Sequence, residues 1–255
     1  MLPSALDHVE EIAGKPGRDL AIFLDYDGTL TPIVNDPEKA LLSDSMRQTL
    51  RALARHMPVA ILSGRDLDDV RRRVDIDGII YAGSHGFDIA GPNELRKEVA
   101  KEFLVKLDQT ERSLRKELAG IAGARVERKR FSIAAHYRMV NESDFPNLER
   151  IVSQVAARYP ELRKMNGKKV YELQPDIDWD KGKAVLWLLQ TLGLEQADVI
   201  PIYIGDDRTD EDAFRALAKK GVGILVSEHP RAAAAGYLLK DPSDVEHFLR
   251  ELVPH

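Results

Sequence analysis

The sequence predicts an α/β fold in which a doubly wound, mostly parallel sheet carries a smaller inserted α+β domain. Short apolar runs typical of buried strands alternate with segments that repeat apolar residues at helical spacing. Such alternation indicates a parallel sheet with helices on both faces. Between residues 91 and 174 the alternation stops, and a more charged stretch follows a different pattern. We therefore expect a core formed by residues 1–90 and 175–255 and an inserted domain formed by residues 91–174.

The outer segments supply the predicted core elements. Each strand is a short apolar run, and each helix places apolar residues on one face. The predicted strands are 20–24, 59–62, 79–82, 200–204 and 222–226, and the predicted helices are 43–56, 184–192, 210–219 and a last helix that opens at Ser243. Ser243 and Glu246 fit a capping box at the start of that last helix. The arginines at 71–73 follow the second strand, and we interpret them as a solvated helical face.

The inserted stretch predicts helices over antiparallel strands. A long amphipathic helix is indicated by two sets of apolar residues at four-residue intervals, namely Leu95, Val99, Phe103 and Leu107, and then Leu114 and Leu118. Extended segments are expected at 124–129 and 131–139, a second helix at 146–158 and a strand at 168–173. Gly91-Pro92 and Pro175 mark the points at which the chain crosses between the two domains.

Composition excludes several classes of protein. Hydrophobic residues make up 44% and charged residues 31% of the 255 positions, which is typical of a globular chain with a substantial core. No cysteine is present, so disulfide frameworks, thiolate nucleophiles and cysteine-bound zinc are ruled out. The net charge of −5 argues against a nucleic-acid partner. Because neither an 18-residue apolar run nor a secretory signal is visible, we expect a cytoplasmic protein with no membrane partner.

Four short segments carry the candidate chemistry. They are Asp25-Tyr26-Asp27-Gly28-Thr29, Ser63-Gly64-Arg65, Lys181-Gly182-Lys183-Ala184 and Gly205-Asp206-Asp207-Arg208-Thr209-Asp210. Three of them follow predicted strands, and the lysine segment opens a predicted helix. In an open parallel sheet, the carboxyl ends of the strands form the crevice in which ligands bind. Each segment alone is compatible with a turn, a helix cap or a solvated lysine, but together they predict one site.

The acidic residues of the first and fourth segments predict a metal site. Like charges at the rim of a core are costly unless a cation lies between them. The carboxylates of Asp25 and Asp206, with the backbone carbonyl of Asp27, are hard oxygen ligands that suit Mg²⁺. We expect Asp207 to reach this metal through water and Asp210 to steady the lysine or the Asp206 loop.

Donors for a phosphate group come from the other segments. The expected phosphate-binding groups are the Ser63 hydroxyl, the Lys181 ammonium and backbone N–H groups at Thr29 and around Gly64. A phosphate held in this way can be attacked by Asp25, which forms an aspartyl phosphate. Asp27 can then protonate the leaving alcohol and later deprotonate the water that hydrolyses the intermediate.

These four segments resemble the motifs of the haloacid dehalogenase superfamily, whose members transfer phosphoryl groups through an aspartate nucleophile. The resemblance implies a Rossmann-like core of that superfamily, and the insertion looks like its C2 type of cap domain. An acid stands two residues after the nucleophile, at Asp27. In the superfamily this arrangement favours hydrolysis over storage of the phosphoenzyme.

Further segments resemble the trehalose-6-phosphate phosphatases within that superfamily. They are Gly83-Ser84-His85-Gly86, Val126-Glu127-Arg128-Lys129, His136-Tyr137-Arg138, Lys168-Lys169-Val170-Tyr171-Glu172 and Trp179-Asp180-Lys181-Gly182. The resemblance implies an Mg²⁺-dependent hydrolysis of trehalose 6-phosphate to trehalose and phosphate. It also implies that the disaccharide hydroxyls are bound by Glu127, Lys129, Arg138, Lys168 and Glu172. We expect Arg65 and His85 to contact the substrate as well, with a role in positioning its loop as the alternative for His85. On pattern alone, the charged residues at 127–129 and 168–172 are equally compatible with cross-strand ion pairs on a solvated sheet.

Other functions stay open at this point. The substrate could be another disaccharide or glycoside phosphate, such as a phosphate of sucrose, mannosylglycerate or glucosylglycerol. A phosphomutase of the same superfamily would return the phosphoryl group to a second sugar hydroxyl, and a catalytically silent sugar-phosphate sensor would have a damaged motif. A monomer is compatible with the sequence, and pathway logic links such an enzyme to a trehalose-phosphate synthase.

Overall fold

The computed structural model describes residues 2–14, 18–34, 36–167, 169–229 and 231–254. The chain forms two compact units, one made of Met1–Lys97 with Trp179–His255 and the other of Glu98–Asp178. We call them the core unit and the inserted unit. Both divisions fall a few residues after the crossings expected at 91 and 174. At the first, the chain completes a hairpin on the edge of the core sheet before it leaves the core unit.

A mixed sheet forms the centre of the core unit. Its strands are β1 (Asp19–Asp25), β2 (Val59–Leu62), β3 (Ile80–Gly83), β4 (Asp88–Ala90), β5 (Arg96–Glu98), β10 (Val199–Gly205), β11 (Val222–Val226) and β12 (Tyr237–Leu239). Within the described residues the strand order is β12-β11-β10-β1-β2-β3-β4-β5. The pairings from β12 to β3 are parallel, and β4 runs antiparallel to β3.

Helices cover both faces of this sheet. They are α1 (Val9–Ala13), α2 (Asp44–Leu53), α3 (Leu67–Val74), α6 (Lys181–Thr191), α7 (Asp210–Leu217) and α8 (Pro242–Glu251). Successive side chains of a strand point to opposite faces. Accordingly, Ile22 and Leu24 of β1 join the buried cluster that contains residues of α2, α3 and α8, whereas Ala21 and Phe23 join the cluster of α6 and α7. The predicted doubly wound α/β fold class is thus confirmed.

The inserted unit pairs four antiparallel strands with two helices in its described residues. The strands are β6 (Arg125–Lys129), β7 (Ser132–His136), β8 (Leu162–Gly167) and β9 (Val170–Pro175), in the order β6-β7-β9-β8, and the helices are α4 (Leu104–Leu118) and α5 (Phe145–Arg158). Val126, Ile133 and Leu173 pack with apolar residues of both helices in one buried cluster. The other face of the sheet carries Glu127, Lys129, Ser132, His136 and Glu172, and we call it the polar face.

The predicted long helix of the inserted stretch begins later than its apolar pattern indicates. Residues Asn93 and Glu94 both have positive φ, at 54° and 59°, and the backbone N–H of Gly91 donates to the carbonyl of Leu95. Two consecutive positive φ values are typical of a tight hairpin turn, so Leu95 leads into β5 instead of a helix. The α-helix itself starts at Leu104. Strand β8, which lies between α5 and β9, has no counterpart among the predicted elements.

The interpretation of the arginine run as a solvated face is wrong for one of its members. The Arg73 side chain is 6% exposed, and its Nε donates to Asp69 at 2.9 Å while Nη2 donates to Glu38 at 2.8 Å. Arg72 is 76% exposed, as expected for a solvated position. A buried guanidinium requires paired acceptors, and these come partly from Glu38, which lies outside the helix.

The two points at which the core unit meets the insertion lie next to each other. The ammonium of Lys97 lies 5.6 Å from the centre of the Trp179 ring, a cation–π distance. The indole N–H of Trp179 donates to the carbonyl of Gly86 at 2.8 Å. The re-entering chain is thus attached to the turn that follows β3. Among the described helices, none has the length and apolar character needed to cross a membrane.

Candidate active site

The strand order of the core unit brings the sequence motifs to one edge of the sheet. Strands β10, β1, β2 and β3 are parallel neighbours, and Asp25 at the end of β1 is in register with Leu62 at the end of β2. Asp206 directly follows β10, Ser63 directly follows β2, and the Ser84–Gly86 turn directly follows β3. The carboxyl ends of parallel strands form the ligand crevice of such sheets. This edge is therefore the candidate site.

Lys181 connects two of the acids. Its side chain is 2% exposed, and Nζ donates to Asp25 Oδ1 at 2.6 Å and to Asp210 Oδ1 at 2.7 Å. The lysine is the first residue of α6, whose N-cap Asp180 accepts from the backbone N–H of Lys183. Its buried charge is thus balanced by two carboxylates, which is the arrangement that a buried ammonium needs.

Asp210 is completely buried and accepts hydrogen bonds on both oxygens. Oδ1 accepts from Lys181 and from the hydroxyl of Tyr203 at 2.7 Å, and Oδ2 accepts from the backbone N–H groups of Asp206 and Asp207 at 2.9 Å each. Four donors occupy the acceptor sites of this carboxylate. Asp210 therefore steadies both the lysine and the Asp206 loop, and it has little capacity left for a direct metal bond.

Asp207 turns back onto its own loop. Its Oδ1 accepts from the backbone N–H and the hydroxyl of Thr209, both at 2.7 Å, in the turn that precedes α7. Burial alone would raise the pKa of Asp207, but the charge of Lys181 and the hydrogen bonds from Thr209 lower that pKa overall. This side chain shapes the loop through these bonds.

Three acids converge closely enough to hold a metal ion. One carboxylate oxygen each from Asp25, Asp206 and Asp210 lie within 4.8 Å of one another. Asp206 Oδ1 is buried without a hydrogen-bond partner. Gly28, at φ 90°, lies against the Asp206 carboxylate, and a Cβ at that position would overlap it. An unpartnered buried carboxylate oxygen beside other hard oxygen donors fits a divalent cation, with Asp25 and Asp206 as the side chains free to bind it.

The electrostatics of the acids agree with a cation site. Burial raises the pKa of Asp25 well above its ordinary value, although Lys181 opposes the rise. Burial, with Asp210 and Asp207 nearby, raises the pKa of Asp206 to about 7. Burial disfavours the ammonium form of Lys181, but Asp210 and Asp25 outweigh it and raise the lysine pKa. A positive ion beside Asp25 and Asp206 would relieve the cost of their charges.

Asp27 is held from the opposite side. Both of its carboxylate oxygens accept from Arg65, whose Nη1 donates to Asp69 at 3.0 Å and whose guanidinium lies over the Tyr26 ring at 5.5 Å. The Asp27 side chain is 41% exposed, whereas Arg65 is 12% exposed. The carboxylate of Asp27 thus belongs to an arginine network and not to the converging acids. Arg65 is expected from the sequence to contact the substrate. In the structure its guanidinium instead donates three hydrogen bonds to the carboxylates of Asp27 and Asp69.

The other residues that are expected to bind phosphate lie around the same edge of the sheet. Ser63 is buried and its hydroxyl accepts from the backbone N–H of Arg65 at 3.1 Å. Thr29 is fully buried, and its hydroxyl oxygen has no hydrogen-bond partner. Gly64 faces the ring of His85, which leaves no room for a Cβ at that glycine. His85 itself has positive φ, 57°, between Ser84 and Gly86, which also have positive φ.

The predicted sugar contacts lie mainly on the polar face of the inserted unit. Glu127 Oε2 is 2.8 Å from His136 Nε2, and this hydrogen bond lowers the pKa of Glu127. Glu172 accepts from Ser132 Oγ and, at 3.4 Å, from Lys129 Nζ. Of the other predicted contacts, Arg138 is exposed in the turn after β7, whereas Lys168 is not among the described residues.

Sequence patterns do not identify several residues that shape the site. The sequence pattern indicates only that Tyr203 is a buried strand residue and that Asp69 is one of several charged residues on a helix. Ser132 lies in an extended run without a motif. Only their contacts, with Asp210, Arg65 and Glu172 respectively, connect them to residues that the sequence predicts to be functional.

Comparisons with known proteins agree on one family. A family model described as trehalose-phosphatase matches residues 23–243. The trehalose 6-phosphate phosphatase RA3 of Zea mays is 45% identical over 268 residues, covering 98% of this chain and 74% of that protein. The C-terminal domain of a C. albicans trehalose-6-phosphate phosphatase superposes with a TM-score of 0.80 at 21% identity, covering 99% of both chains. A haloacid dehalogenase-like hydrolase from Bacteroides thetaiotaomicron shares the fold, with a TM-score of 0.64 at 17% identity, over 92% of this chain and 99% of that one. The chain belongs to the trehalose-phosphatase family.

Proposed function

We propose that this protein hydrolyses trehalose 6-phosphate to trehalose and phosphate, with Mg²⁺ as its cofactor and an aspartyl phosphate as intermediate. The observation that carries the proposal is the contact of Asp25 with Lys181 beside the unpartnered buried oxygen of Asp206. Phosphoryl transfer needs a nucleophilic carboxylate, a fixed positive charge such as the Lys181 ammonium, and hard oxygen ligands for a metal ion. All three groups lie at this edge of the sheet.

The reaction divides into two displacements. In the first, a carboxylate oxygen of Asp25 forms a bond to phosphorus while the bond from phosphorus to the sugar oxygen breaks, and Asp27 supplies the proton that this oxygen takes up. In the second, water attacks the aspartyl phosphate, Asp27 takes a proton from the water, and phosphate leaves with Asp25 regenerated. Lys181 and Ser63 support this sequence, because a fixed ammonium and a fixed hydroxyl can stabilise the phosphoryl oxygens in both steps.

Asp25 and Asp206 would hold the metal ion, with the Asp27 carbonyl as a further oxygen ligand. Bound there, Mg²⁺ would neutralise charge on the phosphoryl group during transfer. The preference for Mg²⁺ over a soft metal rests on the donor set, which consists of oxygens alone. Asp210 keeps the loop of Asp206 in place through two backbone amides.

For the sugar, we propose that the polar face provides hydroxyl contacts. Carboxylates at Glu127 and Glu172 accept hydrogen bonds, and Lys129 donates them, so donors and acceptors alternate as a polyol requires. Arg138 and Lys168 are further candidates by their place in the sequence. The names of the curated relatives support a trehalose phosphate as substrate. A trehalose-phosphate synthase would make this substrate, and both enzymes would act in the cytoplasm.

The direct test is phosphate release from a panel of sugar phosphates, with Mg²⁺ and with a chelator. We expect trehalose 6-phosphate to be preferred by at least about tenfold in kcat/KM, or about 1.4 kcal/mol of transition-state discrimination. Release should stop when the metal is chelated. Equal rates on sucrose and glucosylglycerol phosphates would refute the substrate, and an isomerised sugar phosphate without free phosphate would indicate a mutase.

The sugar contacts are tested with Glu172→Gln and the matched control Glu149→Gln. Glu149 is 54% exposed on α5, on the helix side of the same sheet. We expect Glu172→Gln to raise KM for trehalose 6-phosphate by about tenfold while p-nitrophenyl phosphate, which lacks the sugar, is unaffected. Equal KM effects of the two variants would contradict a sugar contact at Glu172.

A further inference from the structure

Arg231 reaches the Asp206 loop from a distant part of the core unit. It lies between β11 and β12, and its Nη2 donates to the backbone carbonyls of Asp206 at 3.2 Å and Asp207 at 3.0 Å. Its Nη1 donates to Glu211 Oε1 at 2.6 Å. One guanidinium thus connects two carbonyls of the loop with a carboxylate on the adjoining helix α7.

The peptide unit between Asp206 and Asp207 is held on both sides. Its carbonyl accepts from Arg231, and its N–H donates to Asp210 Oδ2 at 2.9 Å. In a trans peptide the carbonyl and the N–H point in opposite directions. Two partners on opposite sides therefore fix the rotation of this plane. The plane determines the direction in which the Asp206 side chain leaves the backbone, and hence where its unpartnered oxygen points.

Glu211 keeps Arg231 in this position. The Glu211 side chain is 10% exposed, and its second oxygen accepts from the backbone N–H of Ala234 at 2.8 Å. Both oxygens of a buried carboxylate are thus occupied by the segment after β11. An exposed ion pair contributes little to stability and leaves both side chains mobile. An ion pair whose carboxylate is buried and hydrogen-bonded at both oxygens has a defined geometry.

We propose that Arg231, oriented by Glu211, is a positioning residue of the metal site: it sets the backbone of Asp206 and Asp207 so that the Asp206 carboxylate faces the cation. The inference rests on the proposed function, because it assumes that Asp206 binds the metal. Arg231 acts through the loop and touches neither Asp25 nor Lys181 in any bond described above. Loss of such an orienting contact typically weakens metal binding by about 10–100-fold.

The experiment compares Arg231→Gln with Arg215→Gln, using Mn²⁺ as the probe. Arg215 is the matched control, since it approaches the same Glu211 at 4.0 Å but is 64% exposed and lies on the outer part of α7. Mn²⁺ affinity is measured on the purified protein by electron paramagnetic resonance, without substrate. We expect Arg231→Gln to raise the Mn²⁺ Kd by at least about tenfold and Arg215→Gln to leave it within about twofold.

Kinetics and two further variants separate a positioning role from general damage to the protein. For Arg231→Gln, the Mg²⁺ concentration that half-activates phosphate release should rise by a similar factor, while kcat at saturating Mg²⁺ falls by less than about threefold. Arg231→Lys keeps the charge but cannot reach two carbonyls and Glu211 together, so it should recover only part of the affinity. Glu211→Gln should weaken Mn²⁺ binding in the same direction.

Two results would overturn the inference. An Mn²⁺ Kd that Arg231→Gln leaves unchanged, with Asp206→Asn raising it, refutes the role of Arg231 and leaves the proposed metal site intact. An Mn²⁺ Kd that Asp206→Asn leaves unchanged refutes the metal site and the inference together. If Mn²⁺ binding behaves as expected but no sugar phosphate is hydrolysed, the proposed function fails and the positioning role of Arg231 stands.

Discussion

Arg65 binds Asp27 through two parallel hydrogen bonds, from Nε to Oδ2 at 2.7 Å and from Nη2 to Oδ1 at 2.6 Å. This fork geometry fixes the plane of a carboxylate as well as its position. Asp69 holds the third nitrogen of Arg65 and also accepts from Arg73. We therefore expect Arg65 to affect the reaction through Asp27, the residue proposed to transfer the proton, in place of the substrate contact expected from the sequence.

The leaving group should reveal this role. Arg65→Gln removes the fork from Asp27, so protonation of the departing oxygen becomes less efficient. A sugar alkoxide needs that proton, whereas p-nitrophenolate leaves without it. We expect the variant to slow hydrolysis of trehalose 6-phosphate by about 100-fold or more, and hydrolysis of p-nitrophenyl phosphate by at least about tenfold less than that. Steady-state kcat on both substrates measures the difference.

Arg72→Gln is the control for this prediction. Arg72 is 76% exposed on the same helix and contacts the same Asp69. It should leave both rates near those of the unchanged protein. If Arg65→Gln slows the two substrates by the same factor, the arginine has a different role from the orientation of Asp27.

Asp25 is expected to be the nucleophile. Asp25→Asn should lower phosphate release by at least about a thousandfold, because an amide cannot form the acyl phosphate. The fold should survive, since the amide oxygen can still accept from Lys181 and the buried carboxylate charge is removed. Thermal unfolding checks the fold, and Asp25→Ala excludes activity regained by deamidation. A residual rate within tenfold of the original would exclude Asp25 as the attacking group.

Tyr203 should matter for both stability and activity. Tyr203→Phe deletes the hydroxyl that donates to Asp210 Oδ1, leaving Lys181 as the donor described on that oxygen. A buried carboxylate that loses a hydrogen-bond donor lowers the free energy of unfolding by about 1–3 kcal/mol, which urea unfolding measures. Tyr81→Phe is the matched control, because the Tyr81 hydroxyl is also buried but donates to the carbonyl of Ile76, away from the acids. Activity should fall in the first variant and persist in the second.

The hydrogen bonds between Asp69 and its three arginine neighbours predict that the stability of the fold depends on pH. Burial would raise the pKa of Asp69, but hydrogen bonds from Arg73, Arg65 and Arg72 lower that pKa overall. A carboxyl whose folded pKa lies below its unfolded value of about 3.9 stabilises the fold fully above about pH 5 and loses this contribution as the pH falls further. Asp69→Asn should therefore lower the free energy of unfolding by about 1–3 kcal/mol at pH 7 and by less near pH 3.5.

Urea unfolding at both pH values measures this change. Asp68→Asn, at an exposed neighbouring position, should show little effect at either pH. A cost of Asp69→Asn that stays constant or grows toward acid pH would contradict the assigned role of the arginines.

The fold and the candidate site are predictable because their signals are local. Asp25, Ser63 and Asp206 each follow an apolar run, and parallel pairing of the runs is enough to bring them together. The start of the long helix is not predictable in this way. Leu95 has helical spacing to later apolar residues, but the positive φ of Asn93 and Glu94 commits it to a hairpin.

The supporting contacts escape prediction for a different physical reason. Arg231 lies 25 residues from Asp206, in a loop without a motif, and nothing in its neighbourhood distinguishes it from a solvated arginine. Arg73 is similar, because its burial depends on Glu38 from another segment. Long, flexible cations take partners that are set by tertiary structure, so their roles appear only once the chain is folded.

The cation–π contact between Lys97 and Trp179 has an evolutionary consequence. Because the exit and the return of the chain adjoin, the segment between them can be lengthened, shortened or exchanged without shifting β1, β2 or β3. The same indole donates to the carbonyl of Gly86, so the turn that contains His85 is held by a residue of the core unit and not by the inserted segment. Sequence drift in the inserted segment is thus uncoupled from the strand ends that carry Asp25 and Ser63.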